Sequence, residues 1–341
     1  MIELDGSYLE GGGSIVRVGV ALSAVTEKPC RIFNIRKGRC NPGLQYQHIE
    51  AINAVANLCD AKVIGVSLKS KEIEFFPNKI KSGEIKIKIP TAGSIGLILQ
   101  SILIASIHAK DVINIEIDGG ATNGKWAAPV NYIKNVISQF LEKMGYKIKI
   151  DIKKYGYYPK GGAKVNARIE PCKKLKPLNI IECGKIISID GISHASKFLE
   201  KLRVAERQRE IAYNMLLNEF GIEPNIEIKY VDSLCPGSAL DLWCKTENSF
   251  FGSDGLGERG KRAEDVGREA ATHLIEQIKS GAVDEHAEDQ LLPYMALTNN
   301  SSIRIPKLTN HTKTNIWVIE KFLPVKFDID EENKIIRCIA L

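Results

Sequence analysis

The sequence predicts an α/β fold of repeated units, interrupted by a smaller inserted α+β domain. Three observations lead there. A short β-like run, a Gly- or Ser-rich turn and an apolar helix recur in that order at roughly 80-residue spacing, as in a structural repeat. Short alternating stretches lie between them and read as hairpins with one wet face. The stretch 182–280 breaks the rhythm and carries strands and helices of its own.

Along the chain, "IELDG" followed by "EGGGSIVRVGVALSAVT" is the first such segment. "EIKIKIP" with "TAGSIGLILQSILIASI" is the second, and "VINIEIDGG" with "ATNGKWAAP" and "VNYIKNVISQFLEKMG" the third. "SSIRIPKLTN" and "HTKTNIWVIEKF" close the chain on the same plan, while "KIKIDIKK" and "AKVNARIEP" supply hairpin strands. The interruption holds a long charged helix (Ser196–Phe220), strands near Asn225–Val231 and Ala239–Lys245, and a second helix, Ala263–Ile278. Its Gly-rich stretch "GSDGLGERGKRAED" lacks the spacing of a dinucleotide motif and reads as a mobile loop. The expected division is a core domain of 1–181 and 281–341, with 182–280 inserted.

Composition excludes several classes. With 341 residues the chain buries a full core, as one large domain or two ordinary ones. Its longest apolar run, Ile95–Ile107, is broken by Gln100, Ser101 and Ser106, so no membrane span is expected. The start "MIELDG" has no basic and then apolar leader. Eight cysteines without a CxxC pair argue against a zinc site or a disulfide framework and for the cytoplasm. A net charge of +6 permits an anionic partner without demanding one.

Four stretches carry residue types suited to chemistry. In "EGGGSIVR" three glycines open a helix, leaving N–H groups at a positive dipole end that suits a phosphate. Glu10 beside it would repel a phosphate unless Mg²⁺ or Mn²⁺ bridged them, and Arg17 follows two helical turns later on the same face. The same residues also suit a tight turn with a salt bridge. "NIRKGRCNPGLQYQH" gathers Arg36, Lys37 and Arg39 before Gln47 and His48, either a phosphate clamp or a solvated basic loop. "EHAEDQLLPYMAL" places His286, Asp289 and Gln290 near one end of a helix, a pattern also common on plain surfaces. "TNHTKTNI" sets His311 in a polar turn ahead of an apolar helix, as base, ligand, nucleophile or solvated group.

The stretches "LEGGGSIVR", "IRKGRCNPGLQYQH", "GGATNGKWAAP", "YPKGGA", "EDQL" and "HTKTNI" occur in that order. Together they resemble the landmarks of the RNA 3′-terminal phosphate cyclase family over the whole chain. The resemblance implies a four-repeat core of βαβαββ-type units related to the enolpyruvyl transferase fold, with a smaller insert. It implies conversion of an RNA 3′-phosphate into a 2′,3′-cyclic phosphodiester, with ATP and Mg²⁺ or Mn²⁺. His311 stands at the family's nucleophile position, where AMP becomes attached to the ring. Glu10 matches a carboxylate near metal and ATP phosphates. Arg17 matches a position at the nucleotide, and Arg36 and Arg39 match positions suited to the RNA end. Gln47 matches a nucleotide-pocket position; Pro129 and His286 match the pair that sandwiches adenine, beside Asp289 and Gln290. The family often has tyrosine where this chain has His286, which gives a stacking ring of smaller area. The implied partners are ATP and RNA with a 3′-phosphate; a homodimer is allowed. No RNA-binding module stands out, so basic side chains rather than a stacking platform are expected to hold RNA. Two other readings stay open: a ribosome-assembly homologue without activity, which lacks the histidine, and an enolpyruvyl transferase that forms no adenylate.

Overall fold

The computed structural model describes residues 1–298 and 300–341. The first unit runs β1 (Ile2–Asp5), α1 (Ser14–Thr26), β2 (Cys30–Phe33), α2 (Tyr46–Cys59), β3 (Lys62–Ile64) and β4 (Ile73–Phe76). Its sheet has the order β1-β2-β4-β3, parallel between β1 and β2 and antiparallel elsewhere. The second unit repeats this with β5 (Gly83–Ser94), α3 (Ile95–Ala105) and β6 (Ile113–Ala121). Then α4 (Val130–Tyr132) passes through a π turn, Ile133–Ile137, into α5 (Ser138–Lys143), before β7 (Ile148–Lys154) and β8 (Lys164–Ile169). The order β5-β6-β8-β7 matches the first sheet. Alternation decides which face each strand buries: Ile87 and Ile89 are buried while Lys86 and Lys88 are exposed. Helix α3 is apolar nearly all round and is buried along most of its length.

The third unit is split in sequence. β9 (Asn179–Ile180) comes first, and the chain then leaves to build β10 (Ile186–Ser196), α6 (Val204–Phe220), β11 (Asn225–Val231), β12 (Ser238–Thr246), β13 (Phe250–Leu256) and α7 (Ala263–Ser280). It returns with α8 (Glu285–Thr298), β14 (Ser301–Arg304), α9 (Asn310–Phe322), β15 (Val325–Asp330) and β16 (Ile335–Ala340). β9 pairs in parallel with β14, giving the order β9-β14-β16-β15, the pattern of the other two units. The intervening strands form a separate sheet, β11-β10-β12-β13, with an apolar cluster of their own beneath α6 and α7. In the main cluster α1 packs on α3 and α9, and Ser14–Val25 are all buried.

Three sequence expectations change. The core has three units rather than four, because "EIKIKIP" and "VINIEIDGG" are neighbouring parallel strands of one sheet. Parallel neighbours need a helical crossover, so the strand–turn–helix phrase recurs inside a unit. The long charged helix is broken at Arg203 (φ 51°), with a 3₁₀ turn, Lys197–Leu202, ahead of α6. The first half of the Gly-rich stretch is strand β13, which leaves only 257–262 as loop. Among the described residues, no helix is long and apolar enough to cross a membrane.

Candidate active site

The site forms where the segment before α1 meets the starts of α8 and α9. Glycine makes this approach feasible. A Cβ on Gly12 would lie 2.6 Å from Glu10 Oε1, and one on Gly13 would lie 2.2 Å from His48 Nε2. Glu10 therefore sits in the turn before α1 and not on its face, and the turn rather than helical spacing brings it towards Arg17.

His311 is the second residue of α9, inside its first turn and not in a turn ahead of it. Thr309 caps that helix, its hydroxyl accepting from Thr312 N–H at 3.0 Å. The imidazole is gripped from both sides, with Nδ1 2.5 Å from Glu10 Oε2 and Nε2 2.5 Å from Asp289 Oδ2. Two carboxylate partners require both nitrogens to donate, which is the imidazolium form. Burial alone would lower the His311 pKa, but the hydrogen bonds to Asp289 and Glu10 outweigh it and raise it to about 10. The same bond to His311, against the opposing effect of burial, holds Glu10 below its ordinary range. The Arg39 guanidinium also pairs with Glu10 Oε1 and donates to the Glu10 carbonyl at 3.0 Å.

Arg17 is buried in α1, its Nε donating to Gln100 Oε1 at 3.3 Å. Burial brings its pKa down to about 10, against the pull of Asp289 and Glu10. Arg36 folds back on its own loop, donating to the carbonyls of Asn41 (2.6 Å) and Gly43 (3.0 Å). Gln47 lies in the first turn of α2 beside buried His48. Asp289 and Gln290 are buried in α8, with the Asn315 amide 3.5 Å from Asp289 Oδ2. His286 meets the ring of Tyr132 edge-on at 5.8 Å, and Pro129 caps the helix on which Tyr132 stands. Tyr132 thus links the two candidate adenine contacts, His286 through its ring and Pro129 through its helix, while His311, Glu10, Asp289, Arg17 and Arg39 form the centre.

The sequence shows Gln100 and His48 without assigning them a role at the site, and it does not single out Asp284. Gln100 is the one large polar side chain on the buried helix α3, a signal that an interior group needs it. His48 takes the Gln45 N–H on Nδ1 at 3.0 Å, which leaves Nε2–H directed at the start of α1. Burial, then Arg17 and Arg36, push its pKa down to about 3, so the ring is neutral. Asp284 caps α8, accepting from the N–H groups of His286 (3.0 Å) and Ala287 (2.8 Å), and takes Tyr132 O–H at 2.5 Å. Aspartate just before a helix was the readable sign.

Among the described residues, no group of three or more His, Cys, Asp or Glu side chains forms a metal cage. Glu10, a partly exposed carboxylate, fits a hard cation only as one protein ligand supplemented by phosphate oxygens. The helix N-termini of α1 and α9 both favour anions, and Arg17 and Arg39 add positive charge around the imidazole.

A histidine held between two carboxylates, with Arg17 and Arg39 close by, thus stands at a helix N-terminus on a repeated α/β frame. The family described as RNA 3′-terminal phosphate cyclase matches residues 8–329, and the chain belongs to it. Proteins named RNA 3′-terminal phosphate cyclase are similar along nearly their full length. That of Methanococcoides burtonii is 47% identical over 338 residues, covering 99% of each chain. That of Methanopyrus kandleri is 44% identical over 337 residues, 96% of this chain and 95% of its own. That of Thermococcus kodakarensis is 44% identical over 332 residues, 97% of this chain and 95% of its own.

Proposed function

We propose that this chain converts an RNA 3′-terminal phosphate into a 2′,3′-cyclic phosphodiester, using ATP, with His311 as the nucleophile. The observation that carries this reading is the His311 imidazole at the start of α9, between Glu10 and Asp289. A ring nitrogen attacks the α-phosphorus of ATP and pyrophosphate leaves, so AMP stays on the ring. An oxygen of the RNA 3′-phosphate takes the AMP, and the neighbouring 2′-OH displaces it to close the cycle.

The residues have distinct tasks. Attack needs a neutral ring with one bare nitrogen, so nucleotide binding opens one of the two carboxylate contacts while the other keeps the remaining N–H oriented. Arg17 and Arg39 neutralise phosphate charge, and most of the remaining barrier is positioning of this kind. Pro129 and His286 flank the adenine, with Gln47 and Gln290 as polar neighbours, and Arg36 faces the RNA end. A divalent cation held by Glu10 and phosphate oxygens would neutralise charge on the triphosphate. Residues 182–280 act as an inserted domain on this core.

The test is incubation of a 3′-phosphorylated oligoribonucleotide with ATP and Mg²⁺ or Mn²⁺. The expected product resists phosphatase and migrates as a cyclic phosphate. A terminus that stays phosphatase-sensitive while the protein is folded contradicts the reading.

A further inference from the structure

A cavity of about 1300 Å³ opens beside the site, meeting it at Arg36 and Gln47. Its walls are the loop after β6 with Trp126, the loop between β7 and β8 with Tyr158, the 3₁₀ turn before α6, and the loop 257–262. Six of its lining side chains are Arg or Lys and one, Glu258, is acidic. Lys125, Arg207 and Lys261 pair closely with Glu258, Glu264 and Glu269, whereas Arg262 reaches Glu264 only at 3.7 Å with its side chain 73% exposed, so Arg259 and Arg262 on the loop 257–262 form the cationic wall.

Two of the three aromatic residues here are out of keeping with a folded interior, the third being buried Tyr157. Trp126 is 91% exposed and Tyr158 79% exposed. The other two tryptophans have partners inside the fold: Trp243 packs on the main core and Trp317 stacks on Tyr8 at 4.3 Å. Trp126 also has φ 60°, in the left-handed region that a bulky side chain rarely adopts. Lys125 lies 5.2 Å from its ring centre, a cation beside a bare π face.

Flat faces interleaved with cations match one chemistry, that of a single nucleic-acid strand, whose bases stack while its phosphates pair. Cations without exposed rings would suit a free anion, and rings without cations would suit an apolar partner. We propose that this cavity seats the single-stranded nucleotides leading up to the RNA 3′ end, with Trp126 and Tyr158 stacking on bases and Arg259 and Arg262 neutralising phosphates. The inference rests on the cyclase reading above and adds the path of the strand: the 3′ end lies at Arg36 and the upstream chain runs towards the loop 257–262.

The experiment measures anisotropy of a labelled short single-stranded RNA ending in a 3′-phosphate, with self-adenylation by ATP alone followed in parallel. Trp126→Ala and Tyr158→Ala should each weaken RNA binding on the order of ten-fold. Adenylation and melting temperature should stay at the wild-type values, and Trp126→Phe should keep most of the affinity. Arg259→Ala should lower the dependence of log affinity on log salt by roughly one. Wild-type RNA affinity in both aromatic variants overturns the proposal and leaves the cavity to a protein partner. Equal losses of RNA binding and adenylation also overturn it, by moving the cavity to ATP. A wild-type protein that binds RNA through these rings but never adenylates itself defeats the cyclase reading and leaves the strand path standing.

Discussion

His311 without nucleotide is an imidazolium clamped by Glu10 and Asp289, which has consequences for pH and for mutation. Its folded pKa, about 10, lies above its ordinary value of 6.5. The stability this gives is fully present below the lower value and is lost as pH rises through the higher one. In nucleotide-free protein with chelator, the melting temperature should therefore decline across that window, and His311→Ala should flatten the decline. An equal slope in both proteins would remove the clamp. Glu10→Gln removes the negative charge beside the ring and the carboxylate that suits a cation. Adenylation should slow roughly ten- to a hundred-fold, the size of a lost charged contact, with a much smaller effect on stability. An unchanged rate would leave Glu10 as a turn residue only. These partners were individually visible in "LEGGGSIVR", "EDQL" and "HTKTNI", but their union was not. Glu10 and His311 are 301 positions apart, and only the packing of α1 on α9 brings them together.

The helix starts carry the chemistry, and the caps hold the starts. Thr309 fixes the first turn of α9 through its bond to Thr312 N–H. Thr309→Ala should cost about 1 kcal/mol of stability and slow adenylation, because His311 is the second residue of that turn. Thermal melting and single-turnover labelling check both effects; a destabilised protein with the wild-type labelling rate would separate the cap from the site. Alternation such as Lys86–Ile87–Lys88–Ile89 made strands readable, and Gly11–Gly13 announced the entry to α1. The number of units was not readable, since each contains the strand–turn–helix phrase more than once. Trp126 was hidden for another reason: sequence alone gives an aromatic residue no sign that the fold leaves it bare.

Across the molecule, the inserted sheet is locked to the second unit by a buried polar network. Asp241 accepts from Asn123 and Asn131, each at 2.7 Å, and meets His194 Nε2 at 3.2 Å. His194 Nδ1 bonds the Tyr157 hydroxyl at 2.7 Å. Asp241→Ala leaves these buried groups unpaired, at a cost on the order of 3 kcal/mol and a fall of roughly 5–10 °C in melting temperature. A variant that melts with the wild type would show that the network does not join the two parts. Nothing in the chain marks Asp241 as different from other strand aspartates, because its three partners come from two other elements and the loop after β6.

The most direct measurement is covalent labelling with ATP carrying label in its α-phosphate, followed by mapping of the modified peptide. Wild-type protein should hold acid-labile AMP on His311, and His311→Ala should hold none while melting as a folded protein. Label retained in His311→Ala, or mapped to another residue, would contradict the assignment of this histidine as the nucleophile.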